Sequence, residues 1–184
     1  MTEHQDYPLF QEAVQGLLRG DFSRLEPLFE GESLDDRECR ILDWYRKGYF
    51  DQEPKALAEA FTCACFNGRT GVADFLLTQG VDPCAGDATG MNGFHCAAGR
   101  GHLETVRLLI RRKVPMEIKN MYGGTALGQT VWSAIHEPGP DRLPVIEALL
   151  SAGARLDTTG FPTGDERIDE AIRRHCTGVE NREP

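Results

Sequence analysis

The feature that most constrains this 184-residue chain is an internal repeat. Gly68-Arg69-Thr70-Gly71-Val72-Ala73-Asp74-Phe75-Leu76-Leu77 is answered 33 residues later by Gly101-His102-Leu103-Glu104-Thr105-Val106-Arg107-Leu108-Leu109-Ile110. The small pairs Ala64-Cys65 and Ala97-Ala98 keep the same offset. A third copy runs Val145-Ile146-Glu147-Ala148-Leu149-Leu150-Ser151-Ala152-Gly153, with about seven extra residues before it. A short unit recurring at fixed spacing cannot bury its own apolar face, so the copies have to stack.

One unit can be read physically. Asp87-Ala88-Thr89-Gly90 is a turn, followed by a short helix from about Asn92 to Arg100. Ala97 and Ala98 are small enough to let a neighbouring helix come close. Gly101-His102 breaks the chain. A second helix from Leu103 to Arg112 then buries Val106, Leu109 and Ile110 at helical spacing.

These residues resemble the ankyrin-repeat family. The middle copy carries most of the likeness, in Asp87-x-x-Gly90-x-Asn92-Gly93-Phe94-His95-x-Ala97-Ala98-x-x-Gly101-His102 and then Val106 and Leu108-Leu109-Ile110. The third copy adds Gly123-Gly124-Thr125-Ala126-Leu127. The sequence departs from the family pattern in three places. Asn92-Gly93 and Glu59-Ala60 stand where the family has Thr-Pro, and Lys113 replaces the glycine after the second helix. The resemblance covers about Pro54 to Asp157. It implies an all-α fold, a solenoid of stacked helix–turn–helix units with short hairpin loops. It also implies that His95 hydrogen-bonds backbone between repeats, and it places His102 at a second family position.

Three regions follow. Residues 1–53 are an acidic helical cap, with helices expected from Pro8 to Glu30 around Gly20-Asp21 and from Asp35 to Tyr49. Residues 54–159 hold three repeats, the third with a proline-rich insertion near 135–144. Residues 160–184 form a closing helix, Asp165 to Cys176, with Ile168, Ala171 and Ile172 inward and a frayed tail. In the cap, Ala13-Val14, Leu17-Leu18, Leu25 and Leu28-Phe29 supply the apolar face. Ile41, Leu42, Trp44 and Tyr45 supply that of the next helix.

Composition narrows the function. The net charge is −9, and residues 1–53 hold 13 acidic against 6 basic residues. Such a chain is badly suited to phosphate backbones, so nucleic acid is not expected as a partner. No run of 18 apolar residues predicts a membrane span. Met1 to Asp6 lacks the basic and apolar start of a secretion signal. The six cysteines, Cys39, Cys63, Cys65, Cys84, Cys96 and Cys176, lie scattered in a chain large enough for a core. They read as reduced thiols of a cytoplasmic protein.

No catalytic motif stands out. Cys63-x-Cys65 lacks zinc-finger spacing, and Cys63, Cys65 and Cys96 fall at tight first-helix positions that want a small hydrophobe. His95 and Cys96 are adjacent on a helix, so their side chains diverge by about 100° and cannot act as base and nucleophile. The glycines fall in turns and form no phosphate loop. No enzyme, cofactor or metal is therefore expected. The competing reading is a metal or enzyme site built from Cys63, Cys65, Cys96 and His95, and a further one is a homo-oligomeric scaffold.

The resemblance places partner contacts at hairpin tips and on the exposed side of first helices. The candidate residues are Phe66, Asn67, Thr89, Met91, Arg100, Met121, Tyr122, Trp132 and Ser133, with Phe66, Gly99 and Trp132 at one recurring position. Aromatic, Met and Arg side chains of this kind dominate protein interfaces. The expected function is a non-enzymatic protein-binding module, monomeric when free. A narrower reading is a stand-alone inhibitor, such as a bacterial immunity or antitoxin protein that blocks a basic toxin or enzyme. In that reading Asp35, Asp36 and Glu38 steer the encounter.

Overall fold

The computed structural model describes residues 3–29, 38–85, 89–137, 139–156 and 161–177. Among them the regular elements are α-helices and two 3₁₀ turns, so the all-α expectation holds. The helices are α1 (Glu3–Arg19), α2 (Arg40–Arg46), α3 (Pro54–Phe66), α4 (Thr70–Thr78), α5 (Gly93–Gly99), α6 (Leu103–Arg111), α7 (Ala126–His136), α8 (Leu143–Ser151) and α9 (Glu166–Thr177). The 3₁₀ turns are Glu26–Phe29 and Tyr49–Gln52. The pairs α3/α4, α5/α6 and α7/α8 correspond to the three sequence copies. Several sequence expectations lie outside the described residues: the hairpin-tip Ala88, the acidic Asp35 and Asp36, Pro138 of the insertion, Gly160 and the tail 178–184.

The chain divides into two compact units, Met1–Gly93 and Phe94–Pro184. In the first, α3 packs against α1 and α4. Its core includes Phe10, Leu17, Phe29, Ile41, Leu42, Trp44, Phe61, Val72 and Leu76. Phe10 lies edge-on to Trp44, Tyr49 and Phe50 with centroids 5.0–5.5 Å apart, an arrangement that sets positive ring edges on negative ring faces. Trp44 has its indole N–H on the Asp6 carboxylate at 2.8 Å, and Lys47 Nζ donates to the other oxygen at 2.8 Å. The lysine hydrogen bond is the main cause holding the Asp6 carboxyl below its ordinary range. One buried acid thus fastens α1 to α2.

Sequence periodicity misplaces two features of this cap. One helix, α1, replaces the first of the two expected between Pro8 and Glu30 and begins earlier, with only a 3₁₀ turn after Gly20. Leu18 is exposed, because Ala13, Val14 and Leu17 already fill the buried stripe.

In the second unit, α8 packs against α6, α7 and α9. Val106, Leu108 and Leu109 of α6, Val145, Ile146 and Leu149 of α8, and Ile168, Ala171 and Ile172 of α9 are buried. Leu108 takes the inward place expected of Ile110, which is only half-buried.

The ends of the second helices repeat in atomic detail. After α4, Gly80 N–H bonds Leu77 O and Val81 N–H bonds Leu76 O. After α8, Gly153 and Ala154 do the same to Leu150 and Leu149. After α6 the donors are Lys113 and Val114, onto Ile110 and Leu109. This paired bonding caps a helix whose next residue turns left-handed. Lys113 does so at φ +57°, between glycines at +84° and +91° in the other copies.

Candidate protein-binding surface

In the second unit, the turn before α7 is a framed loop. Asn120 N–H donates to Gly124 O at 3.0 Å, and the Asn120 side-chain oxygen accepts the N–H groups of Tyr122 and Gly124. Gly123 supplies φ +79°, a region that excludes most side chains. His95, buried on α5, donates from Nε2 to Gly124 O at 3.1 Å. The backbone bond implied by the resemblance is thus present. On this frame stand Met121, 66% exposed, and Tyr122, 77% exposed. Their backbone is held before any partner arrives, which lowers the ordering cost of binding.

Thr125 then starts α7, its hydroxyl accepting Gly128 N–H at 3.2 Å. Ala126, Leu127, Thr130, Val131 and Ser133 face inward. The opposite face carries Trp132, 51% exposed, and Ile135, 41% exposed. The His136 ring stacks on Trp132 with centroids 4.8 Å apart, and His136 Nδ1–H donates to the Trp132 carbonyl at 2.9 Å. Tyr122, Met121, Trp132 and Ile135 are four of the seven large apolar side chains exposed among the described residues. A monomer gains nothing by showing them to water.

Other candidates from the sequence sit differently. Phe66 is half-buried and lies edge-on to Phe22 at 5.6 Å. Asn67 donates to Phe22 O and Cys63 O, each at 3.1 Å, so it ties the end of α3 to the segment after α1. Ser133 is 2% exposed and accepts from Gln129 Nε2 at 3.3 Å. These three are engaged inside the fold, because the position before the interhelical glycine lies against a neighbouring segment. Gly99 shows the same packing: a side chain there would touch Gln129 and Ser133. Thr89 and Met91 are half-buried, and Arg100 is exposed. Ile135 and His136 were assigned to the insertion, but α7 continues through both. Their spacing of three and four residues from Trp132 is the helical signal that marks them.

The insertion folds back on the unit. Arg142 is buried, with Nε 2.6 Å from the Gly99 carbonyl at the end of α5 and Nη1 3.4 Å from the Glu137 carbonyl after α7. Both are helix-end acceptors, where a cation is favoured. A side chain at Gly101 would strike Pro140 at 3.0 Å. A cavity of about 280 Å³ opens here, lined in part by Glu137, Asp141, Arg142, Asp165 and Arg167. Arg167 pairs with Asp141 at 2.6 Å and is the main cause holding that carboxyl below its ordinary range. These charges are spent on one another, and the cavity holds no nucleophile–base pair.

Cys39, Cys63, Cys65 and Cys96 are buried cysteines, and Cys84 is a half-buried one. Among the described residues no group of three His, Cys, Asp or Glu side chains could hold a metal ion. No helix of the described residues is long and apolar enough to cross a membrane.

A search of curated proteins finds no match to this chain. A family model described as ankyrin repeats, three copies, matches residues 61–159. That span includes the second half of α3, from Phe61, and all of α4 to α8, with the framed loop and its histidine bond. The chain belongs to the ankyrin-repeat family.

Proposed function

We propose that this protein-interaction module captures a basic protein through the Met121–Tyr122 tip and the Trp132 face of α7, and that capture blocks the partner, as an immunity or antitoxin protein does. The observation that carries the reading is the set of exposed apolar side chains on one pinned loop and the helix that follows it. The charge supports a basic partner. Residues 1–93 contain 17 acidic and 8 basic residues, whereas residues 94–184 contain 12 of each, so the whole net charge of −9 lies in the first unit. Such a field raises association rates with a positive partner and fades with salt.

The test is capture from the native source by wild type and by Trp132→Ala, with mass spectrometric identification and an activity assay on the captured protein. Wild type is expected to retain a basic protein and silence its activity. Trp132→Ala should weaken binding by about 2 kcal/mol with an unchanged unfolding midpoint. Capture of a partner that stays active would remove the inhibitor reading. Capture unaffected by Trp132→Ala would remove this surface.

A further inference from the structure

We infer that the outward face of α7 docks a second copy of this chain, in a two-fold pairing of α7 against α7. The pairing does not depend on the proposed capture, but it occupies the same face, so a second copy and the partner compete for Trp132. Charge, shape and area carry the inference.

Ala126, Leu127, Thr130, Val131 and Ser133 point inward, which leaves Gly128, Gln129, Trp132, Ile135 and His136 outward, with Trp132 at the middle of the arc. None of these five is Asp, Glu, Lys or Arg. The other long helices of this unit show such charges to water: Glu104 and Arg107 on α6, Glu147 on α8, Arg173 and Arg174 on α9. In a two-fold contact the same patch serves both copies, so a charge near the axis is set against its own sign. The α7 face has no such conflict. Residues 94–184 carry 12 acidic and 12 basic residues, so the unit that holds this face has no net charge to repel its copy.

The face also carries a projection and a hollow one turn apart. Trp132 stands 51% exposed, stiffened by the His136 ring stacked on it at 4.8 Å. Gly128, four residues earlier, has no side chain, and a Cβ there would meet only Thr125 Oγ1, at 3.7 Å. In an antiparallel pair whose axis passes midway between the two positions, Trp132 of each copy lies over Gly128 of the other. A bare glycine lets the indole come down onto the helix backbone. Each copy supplies both parts of the fit, as a two-fold contact requires.

The same arrangement brings the Met121–Tyr122 tip, which precedes α7, toward the far end of the other copy's helix. Met121, Tyr122, Trp132 and Ile135 are 66%, 77%, 51% and 41% exposed. At these fractions they show on the order of 500 Å² per copy. A pairing that covers them all buries on the order of 1,000 Å², the size of a weak, reversible interface. The net charge of −9 keeps it weak, since two such copies repel at long range and the repulsion is screened by salt. Self-docking therefore strengthens with salt, the opposite of capture of a basic protein.

The test is sedimentation equilibrium of the full chain from about 10 µM to 1 mM, the range suited to an interface of this size. The weight-average mass is expected to climb from 20.4 kDa toward twice that value, and to climb further at high salt. Trp44 is fully buried, so iodide quenching of emission reports on Trp132, and its access to iodide should fall over the same range. Trp132→Ala and Gly128→Gln should each weaken self-association about tenfold or more. Gln is a better helix former than Gly, so Gly128→Gln should not lower the unfolding midpoint. A mass of one chain at every concentration, iodide access that ignores concentration, or self-association that ignores both substitutions would overturn the inference. If the native partner loses affinity for Trp132→Ala while the free chain stays single, the capture surface stands and self-docking falls. If the free chain pairs through Trp132 while the partner is indifferent to Trp132→Ala, self-docking stands and the capture surface falls.

Discussion

Replacing Lys113 by glycine should leave this protein more stable than replacing it by alanine, although glycine deletes the whole side chain. Lys113 is the described non-glycine residue with positive φ, at +57°. It occupies the place of Gly80 and Gly153, and its backbone makes the same two capping bonds. An L side chain in that region costs roughly 1–2 kcal/mol through the clash of Cβ with the neighbouring carbonyl. Glycine relieves the clash but gives back about 0.4–1 kcal/mol through a freer unfolded chain. The balance favours Lys113→Gly by about 0.5–1 kcal/mol. A second effect opposes it: the lysine charge sits beside the carbonyl end of α6, which is worth about 0.3–1 kcal/mol.

Lys113→Ala separates the two. It removes the charge and keeps Cβ, so it should lower stability, and the gap between the glycine and alanine variants isolates the backbone. We expect that gap to be about 1 kcal/mol in urea unfolding followed by far-ultraviolet circular dichroism, or ~2–4 °C in Tm for a chain of this size. Gly153→Ala supplies the reverse case. A side chain there meets nothing within 4 Å, so its cost of about 1 kcal/mol is conformational alone. The reasoning fails if Lys113→Gly is no more stable than Lys113→Ala.

Three further outcomes are expected. Asp6→Asn should cost about 2 kcal/mol at neutral pH by removing charge-assisted bonds from Lys47 and Trp44. Because the Asp6 carboxyl is held below its ordinary range, its contribution is complete above the unfolded value near pH 4 and is lost as pH falls through the depressed folded value; urea titrations of wild type and variant should therefore converge on acidification. Arg142→Ala should cost roughly 2 kcal/mol by stripping the Gly99 carbonyl of its buried donor, and hydrogen exchange should rise through the insertion around Gly139 to Asp141. Gly93→Ala should cost about 1–3 kcal/mol, because its Cβ would lie 2.7 Å from the Phe61 ring and 2.9 Å from Cys65 Sγ; the double variant with Phe61→Leu should recover part of the loss.

The fold was legible because its signal is repeated. Three copies of one apolar pattern, each closed by a residue that turns the chain, fix the helix pairs α3/α4, α5/α6 and α7/α8 more firmly than any single periodicity could. Lys113 shows the limit of reading by residue type. It looked like a departure from the pattern, yet the capping bonds of Leu109 and Ile110 impose the same backbone whatever the side chain. The cap was less legible because it occurs once. Asp6 reads as one more acid in an acidic stretch, and its pairing with Trp44 and Lys47, 38 and 41 positions away, leaves no local trace.

The proposed binding face was half legible for a related reason. A repeat position says which direction a backbone points but not what lies across from it. Phe66, Ser133 and Trp132 belong to the same pair of repeat positions, yet Phe66 meets Phe22 and Ser133 accepts from Gln129, while Trp132 is left half in water. The deciding neighbours differ from copy to copy, and the repeat position alone names none of them.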